Sequence, residues 1–308
     1  MSESAHPSVR AAVYGAIDPA LAEIPRGALQ LSPLQPGSTA IESLEDASLD
    51  DIAILAPPGV LERRYVLAHA LRVLSSGGRL TALAPKDKGG SRLGRELQAF
   101  GCTVDETARR HNRICEAERP AEPEGLGEAI ADGAPRIVPE LGLWSQPGVF
   151  SWDRVDPGSA LLAETIPRLS GHGADLGCGV GWLAHPILRE SGVKSLALID
   201  IDRRAIDAAR HNVDDPRVDI RWGDARGDLG VQDLHFVVMN PPFHDQGIED
   251  RGLGFAFIAA ARRSLRKGGT LWMVANRHLP YEGKLGELFR TVTPRADRDG
   301  FKVIEAKV

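Results

Sequence analysis

The chain has 308 residues, of which 43% are hydrophobic and 26% charged, with three cysteines and a net charge of −5. Such a composition suits a soluble globular protein long enough for two domains with separate cores. It argues against a membrane protein, because no apolar run approaches the roughly 20 residues of a spanning helix. It also argues against a surface basic enough to hold nucleic acid by overall charge, so any such contact must come from local patches.

The first residues, MSESAHPSVR, show no cationic stretch leading into an apolar core, and no secretory leader is expected. Cys102, Cys115 and Cys178 have no paired spacing, which fits a reducing cytoplasm. Asp51–Pro58 is an apolar strand ending in a Pro-Pro turn, and a helix is expected after it. Leu74–Ala84 carries a Gly77-Gly78 turn into a second strand, and Arg113–Ala117 forms a third. Between them, residues 86–113 hold Lys86, Lys88, Arg92, Arg95, Arg109, Arg110 and Arg113 against Asp87, Glu96, Asp105 and Glu106. That excess of positive charge can touch phosphate or form a solvated face of mixed charge. Residues 116–132 set six acids against Arg119, with Pro120 and Pro123 among them, the composition of a solvated connector with room for one short helix. The expected division is a first domain over 1–118, a linker over 119–143 and a second domain over 144–308.

In the second domain, strands are expected at 173–176, 195–200, 218–222, 234–239, 270–275 and 301–307. Helices are expected near 181–191, 203–213, 253–267 and 282–290. Short apolar strands alternating with amphipathic helices imply βαβ units and a doubly wound, mainly parallel sheet, which binds ligands at the carboxyl ends of its strands. The order strand, Pro-Pro turn, helix, Gly-Gly turn, strand occurs in both halves, at offsets of 184, 191 and 189 residues, so an internal duplication is expected.

Asp175-Leu-Gly-Cys-Gly-Val-Gly181 joins a strand to a helix. Its glycines allow a sharp turn and close approach to a ligand. A dinucleotide fold would seat pyrophosphate at the helix start, but Asp175 would repel phosphate and attract a sulfonium or amino group. A bare strand-to-helix turn is the plain alternative. Asp200 closes the next strand, where a carboxylate can accept from both ribose hydroxyls; Asp202 competes for that role but stands where a helix N-cap belongs. Asp224, at the third strand end with Ala225 beside it, can accept from an adenine amino group or serve as an ordinary turn acid. Cys178 is expected to pack under the loop.

Asn240-Pro241-Pro242-Phe243 follows another strand. An exocyclic amine on a flat ring has a delocalised lone pair. Acceptors on both of its N–H groups, here the Asn240 side-chain oxygen and the Pro241 carbonyl, bias the nitrogen toward tetrahedral geometry. Proline stiffens the turn, and Phe243 offers a stacking face worth roughly 1–3 kcal/mol. Together the two motifs point to methyl transfer from S-adenosyl-L-methionine to a nitrogen in a planar π-system, which is chiefly a positioning task. The plain alternative is a strand-ending Pro-Pro turn like Pro57-Pro58.

Pro147-Gly-Val-Phe-Ser151, Asp175–Gly181, Asn240–Phe243 and Asn276-Arg-His-Leu-Pro-Tyr281 together resemble the ribosomal RNA guanine-N2 methyltransferases, and among them the ribosomal RNA small subunit methyltransferase C family. The resemblance covers most of 144–308 and, more weakly, 50–117. It implies an α/β fold of two tandem doubly wound, Rossmann-like domains, with the N-terminal copy degenerate. S-adenosylmethionine would be held by Asp175, Gly177, Cys178, Gly179, Gly181, Asp200, Asp224, Ala225 and Asn240. Asn240, Pro241, Pro242 and Phe243 would grip a flipped guanine of small-subunit ribosomal RNA, and Asn276–Tyr281 would shape the site. A cytoplasmic monomer without metal is implied. Phe243 in place of tyrosine, with the duplication, favours guanine within this resemblance; adenine-N6 and protein glutamine-N5 methyltransferases use the same turn. An alternative of another class is a non-catalytic RNA-binding scaffold. In the first half Ala56 stands where Asn240 would, and no acid-led glycine loop precedes it, so catalysis is expected only in the second half.

His111 and Cys115 have no second ligand pair nearby, so no metal site is expected. His244 flanks the turn and can either touch substrate or stand exposed. Arg262, Arg263, Arg266 and Lys267 close a helix whose dipole favours cations; contact with RNA is the other reading.

Overall fold

Apolar runs bounded by glycine, proline or an acid form the buried central strands of the computed structural model, which describes residues 10–228, 230–242, 244–245, 248–249 and 251–308. Two compact units result, Met1–Ala134 and Pro135–Val308.

The first unit contains β1 (Ala11–Tyr14), β2 (Leu29–Gln30), β3 (Leu49–Leu55), α1 (Val60–Val73), β4 (Leu74–Pro85), α2 (Ser91–Gln98), β5 (Val104–Arg109), β6 (Asn112–Glu118) and α3 (Leu126–Gly133). Its sheet runs β2-β1-β3-β4-β6-β5, parallel as far as β4 and antiparallel beyond it. Leu67 and Leu71 of α1, Leu93 and Leu97 of α2 and Ala129 of α3 pack on one face. On the other face Val13, Ala53, Leu83 and Ile114 are covered by Ile17, Leu21, Ala22 and Ile24, a loop in place of helices.

The second unit opens with a hairpin, β7 (Arg136–Val138) and β8 (Leu143–Ser145). It continues with α4 (Pro157–Thr165), β9 (Gly171–Leu176), α5 (Ala184–Leu188), β10 (Val193–Asp200), α6 (Arg203–Asn212), β11 (Val218–Trp222) and β12 (Leu234–Met239). A short hairpin, β13 (His244–Asp245) and β14 (Ile248–Glu249), precedes α7 (Arg251–Ser264), β15 (Leu265–Asn276), α8 (Glu282–Leu288), β16 (Thr291–Arg298) and β17 (Phe301–Lys307). The sheet order is β11-β10-β9-β12-β15-β17-β16, with the last two strands antiparallel. Side chains alternate across it. Leu176, Val237 and Met239 face Ile258 and Ala261 of α7 and Leu285 of α8, while Leu198, Val238 and Val274 face Leu162 of α4 and Ile206 of α6. This unit is doubly wound.

Counted from the strand that ends in Pro-Pro, the two sheets share strand order and direction, and the first is one strand shorter. Residues 119–143, expected as a connector, are ordered. Leu126, Ala129 and Ile130 tie α3 to the core of the first unit, and Arg136–Val138 form the first strand of the β7–β8 hairpin of the second. Among the described residues no helix is long and apolar enough to cross a membrane.

Candidate active site

β9 and β12 are neighbouring parallel strands whose register pairs Leu176 with Met239. The glycine loop and the Asn-Pro-Pro turn therefore leave the sheet side by side, and the Asn240 carbonyl oxygen lies 3.9 Å from where a Gly177 Cβ would stand. Gly177, Cys178, Gly179 and Asn240 line one open cleft, together with Phe150, Arg154, Asp156 and Ser159 from the segment before β9.

Gly177, Gly179 and Gly181 have φ of 76°, 53° and 82°, the left-handed region that glycine enters without strain. At Gly181 a Cβ would also meet Val213 Cγ2 at 2.9 Å, so packing as well as the turn requires the last glycine. Asp200 pins the loop from the tip of β10: the Gly179 amide donates to Oδ2 at 2.8 Å and the Asp202 amide to Oδ1 at 2.9 Å. Burial pushes the Asp200 carboxyl up to about 6, against the pull of these donors. Asp202 caps α6, accepting from the Arg204 amide at 3.0 Å, as its position before the helix suggests.

Asp175 has no exposed surface. Neither of its carboxylate oxygens has a hydrogen-bond partner among the described residues. Burial first, and then the charge of Asp200, push it up to about 8. An unpartnered buried carboxylate is a costly arrangement, and it sets a demand for positive charge beneath the glycine loop. S-adenosylmethionine, with its sulfonium and amino group, fits that demand; a pyrophosphate does not.

Other expected site residues fall elsewhere. Asp224 is clasped by Arg226, with Nε to Oδ1 at 2.8 Å and Nη2 to Oδ2 at 2.7 Å, and this pairing holds its carboxyl below the usual range. Asp224, the buried Ala225, Asp175, Asp200 and Gly181 are not among the residues lining the cleft. Cys178 is buried, its Sγ donates to the Gly179 carbonyl at 3.6 Å, and burial raises its thiol well above the ordinary value. Pro241 is buried and Pro242 exposed. Phe243 and the His244 side chain lie outside the described residues. Leu279 and Tyr281 are buried in the core, with Tyr281 edge-on to Phe255 at 5.9 Å. The Arg262 and Arg263 guanidiniums donate to the carbonyls of Leu288, at 2.9 Å, and Arg226, at 3.1 Å.

Sequence reasoning singled out Pro147–Ser151 without giving it a role, and missed the start of α4 that completes the cleft. Phe150 is 62% exposed at its mouth. Asp156 caps α4, with Pro157 in its first turn; an acid followed by proline is a helix-start signal that could have revealed this element. Asn240 Nδ2 donates to Asp156 Oδ2 at 2.8 Å and to Ser159 Oγ at 3.0 Å. Nothing local in the sequence marks that contact.

A seven-stranded, mainly parallel sheet with an acid-led glycine loop beside an Asn-Pro-Pro turn defines a methyltransferase of the α/β class. The Methyltransferase small domain family matches residues 140–305. The ribosomal RNA small subunit methyltransferase C of Pseudomonas paraeruginosa is 31% identical over 283 residues, covering 90% of this chain and 85% of that protein. Its namesake in Alteromonas mediterranea is 32% identical over 280 residues, covering 85% and 74%. The chain belongs to the ribosomal RNA small subunit methyltransferase C family. Its fold matches that of the T. thermophilus 16S rRNA N2 G1207 methyltransferase, solved in complex with AdoMet and guanosine, with a TM-score of 0.76 at 22% identity over 99% of this chain and 89% of that one.

Proposed function

We propose that the second unit transfers a methyl group from S-adenosylmethionine to the exocyclic N2 of a guanine in small-subunit ribosomal RNA. The observation that carries this reading is the placement of the Asn240 turn beside an acid-backed glycine loop, both opening on one cleft. The relatives named for ribosomal RNA methylation, and the T. thermophilus structure holding AdoMet and guanosine, support the cofactor and the base.

When bound, S-adenosylmethionine supplies an electrophilic methyl on a sulfonium. The chain supplies position and charge. Gly177–Gly181 cradle the cofactor with their backbone, Asp175 offers beneath them a carboxyl that ionises against the cofactor's positive charge, and Asp200 keeps the loop pinned. Asp224 and Ala225 belong to the adenine end. Asn240 Oδ1 and the Pro241 carbonyl take the two N–H groups of the amine and free its lone pair, while Pro242 stiffens the turn and Phe243 stacks on the base. An asparagine amide cannot take the proton, which leaves after transfer, and no thiol nucleophile is needed. The rate comes from orientation.

We infer that the first unit is a duplicated copy without activity. At its Pro-Pro turn the amine's place is taken: fully buried Arg63 donates Nη1 to the Pro57 carbonyl at 3.1 Å and the Pro58 carbonyl at 2.8 Å. Lys86, Arg92 and Arg95 are exposed there, and among the described residues no ion pair engages them, which supports a role in holding RNA phosphate. Arg110 and Arg113 are paired with Asp18 and Glu106. In this reading the enzyme acts as a cytoplasmic monomer without a metal ion.

Incubation of the chain and tritiated S-adenosylmethionine with small ribosomal subunits, followed by digestion, is expected to return label as N2-methylguanosine. Label in N6-methyladenosine or in protein, or no transfer at all, would overturn the reading.

A further inference from the structure

The hydrogen bonds around Asn240 decide which way its amide faces. Both hydrogens of Nδ2 are engaged, one by the Asp156 carboxylate and one by the Ser159 hydroxyl. Asp156 Oδ2 also accepts from the Ser159 amide at 2.7 Å as the N-cap of α4. One carboxylate oxygen therefore joins the helix start to the turn 84 residues further along the chain. The site leaves no room for slack: a Cβ on Gly158 would stand 3.0 Å from that same oxygen and 3.0 Å from the Phe301 ring. Among the described residues nothing donates to Asn240 Oδ1.

An asparagine amide presents a donor or an acceptor depending on which end faces the ligand. Rotated by half a turn, Asn240 would meet an incoming amine with N–H groups, and donor would face donor. That rotation would also set its oxygen against the Asp156 carboxylate, acceptor against acceptor. From this geometry we propose that Asp156 and Ser159 are positioning residues which lock Asn240 with Oδ1 toward the substrate, so that the site selects a ring bearing an amino group over one presenting a carbonyl there. The negative charge of Asp156 also polarises the amide and strengthens Oδ1 as an acceptor. The proposal rests on the methyltransferase reading of the cleft, and its test includes a readout independent of substrate.

The chain holds only four asparagines, Asn112, Asn212, Asn240 and Asn276, so labelling with [¹⁵N]asparagine gives four side-chain NH₂ signals. The Asn240 pair is identified by its loss in Asn240→Ala. Slow hydrogen exchange is expected for that pair in the wild type and fast exchange in Asp156→Ala. In steady-state assays Asp156→Ala is expected to lower kcat about 10²-fold, the scale of a small misplacement at the reacting atoms, with the Kd for S-adenosylmethionine within about threefold. Asp156→Asn keeps an acceptor and should recover to within about tenfold of wild type. Ser159→Ala leaves the helix cap intact and should cost about tenfold in kcat with no change in Tm. In an Asn240→Ala background, Asp156→Ala should cost no more than about twofold further, because both act through one amide. Additive losses, a parallel loss of cofactor affinity, or unchanged exchange of the Asn240 amide in Asp156→Ala would each overturn the proposal. If the wild-type chain methylates a different amine, the functional reading changes, while the exchange experiment still decides whether Asp156 holds Asn240.

Discussion

Asp175→Asn should make the cofactor-free protein more stable while weakening its hold on the cofactor. The carboxyl is fully buried, unpartnered among the described residues and pushed from 3.8 up to about 8. A rise of that size corresponds to an upper bound of about 5 kcal/mol of destabilisation at pH 8. Asp200, itself pushed up to about 6, titrates jointly with it, and we take about 2–3 kcal/mol for Asp175 alone. The sign follows from linkage. Below about pH 4 the carboxyl is protonated in both folded and unfolded chains and contributes no pH dependence. Between about pH 4 and 8 the unfolded chain has released its proton while the folded chain keeps it, so wild type loses stability as pH rises. Above about 8 both forms are ionised and the gap is flat. The neutral, nearly isosteric amide of the variant escapes this loss. Its Tm advantage should grow from pH 5 to pH 8 and reach roughly 5–10 °C for the second unit. Calorimetric melting of both proteins at several pH values measures the gap. Titration with S-adenosylmethionine should show affinity lower by on the order of tenfold in the variant, because no carboxyl is left beneath the loop to ionise against the cofactor's positive charge. A gap that does not change with pH, or a variant less stable than wild type at pH 8, would refute the reasoning.

Three further outcomes are expected. Asn240→Ala should lower kcat by about 10²- to 10³-fold while the calorimetric Kd for S-adenosylmethionine stays within about threefold; an equal loss of both would make the turn a cofactor support. Arg63→Ala removes the partner of Glu96, whose side chain is only 11% exposed and is held at 2.6 and 2.7 Å by the guanidinium. The loss should be about 3–5 kcal/mol in denaturant unfolding of the first unit, and much of it should return when Glu96 is also replaced by an apolar residue of similar size; a silent Arg63→Ala would show that the buried pair is dispensable. Cys178→Ala should keep activity within about threefold, and iodoacetamide at pH 8 should leave the wild type active, since the thiol stays protonated; rapid inactivation traced to Cys178 would contradict this.

The parallel strands of the second unit are legible because burial on both faces leaves an apolar run with an acid or an asparagine at its end. β9, β10, β11, β12 and β17 fall where the pattern puts them. β16 escapes notice because it is an edge strand, exposed and polar with Pro294 in its middle. The helix expected over 181–191 shrinks to Ala184–Leu188, since the glycine loop runs on through Trp182 before a turn can form. α4 passes unread because its small residues, Pro157, Gly158, Ser159 and Ala160, give no amphipathic stripe. The glycine loop and the Asn-Pro-Pro turn are legible because backbone chemistry dictates their residue types. Asp156 as the partner of Asn240, 84 residues away, is fixed by how strand ends and loops meet in space, and that is not written in local pattern.

The two Pro-Pro turns show what separates a fold feature from a site. After β3 and after β12 the chain leaves a parallel strand through the same proline pair. Unsatisfied buried carbonyls are unfavourable, so each turn needs a donor. In the first unit the chain provides one from within: the planar guanidinium of Arg63 fills the place and is neutralised by Glu96. In the second unit the chain commits its own donors elsewhere, with the Asn240 amide hydrogens given to Asp156 and Ser159 and the cleft left open. The two turns thus differ in hydrogen-bond supply: Arg63 donates to the carbonyls of the first, while at the second the Asn240 amide hydrogens go to Asp156 and Ser159.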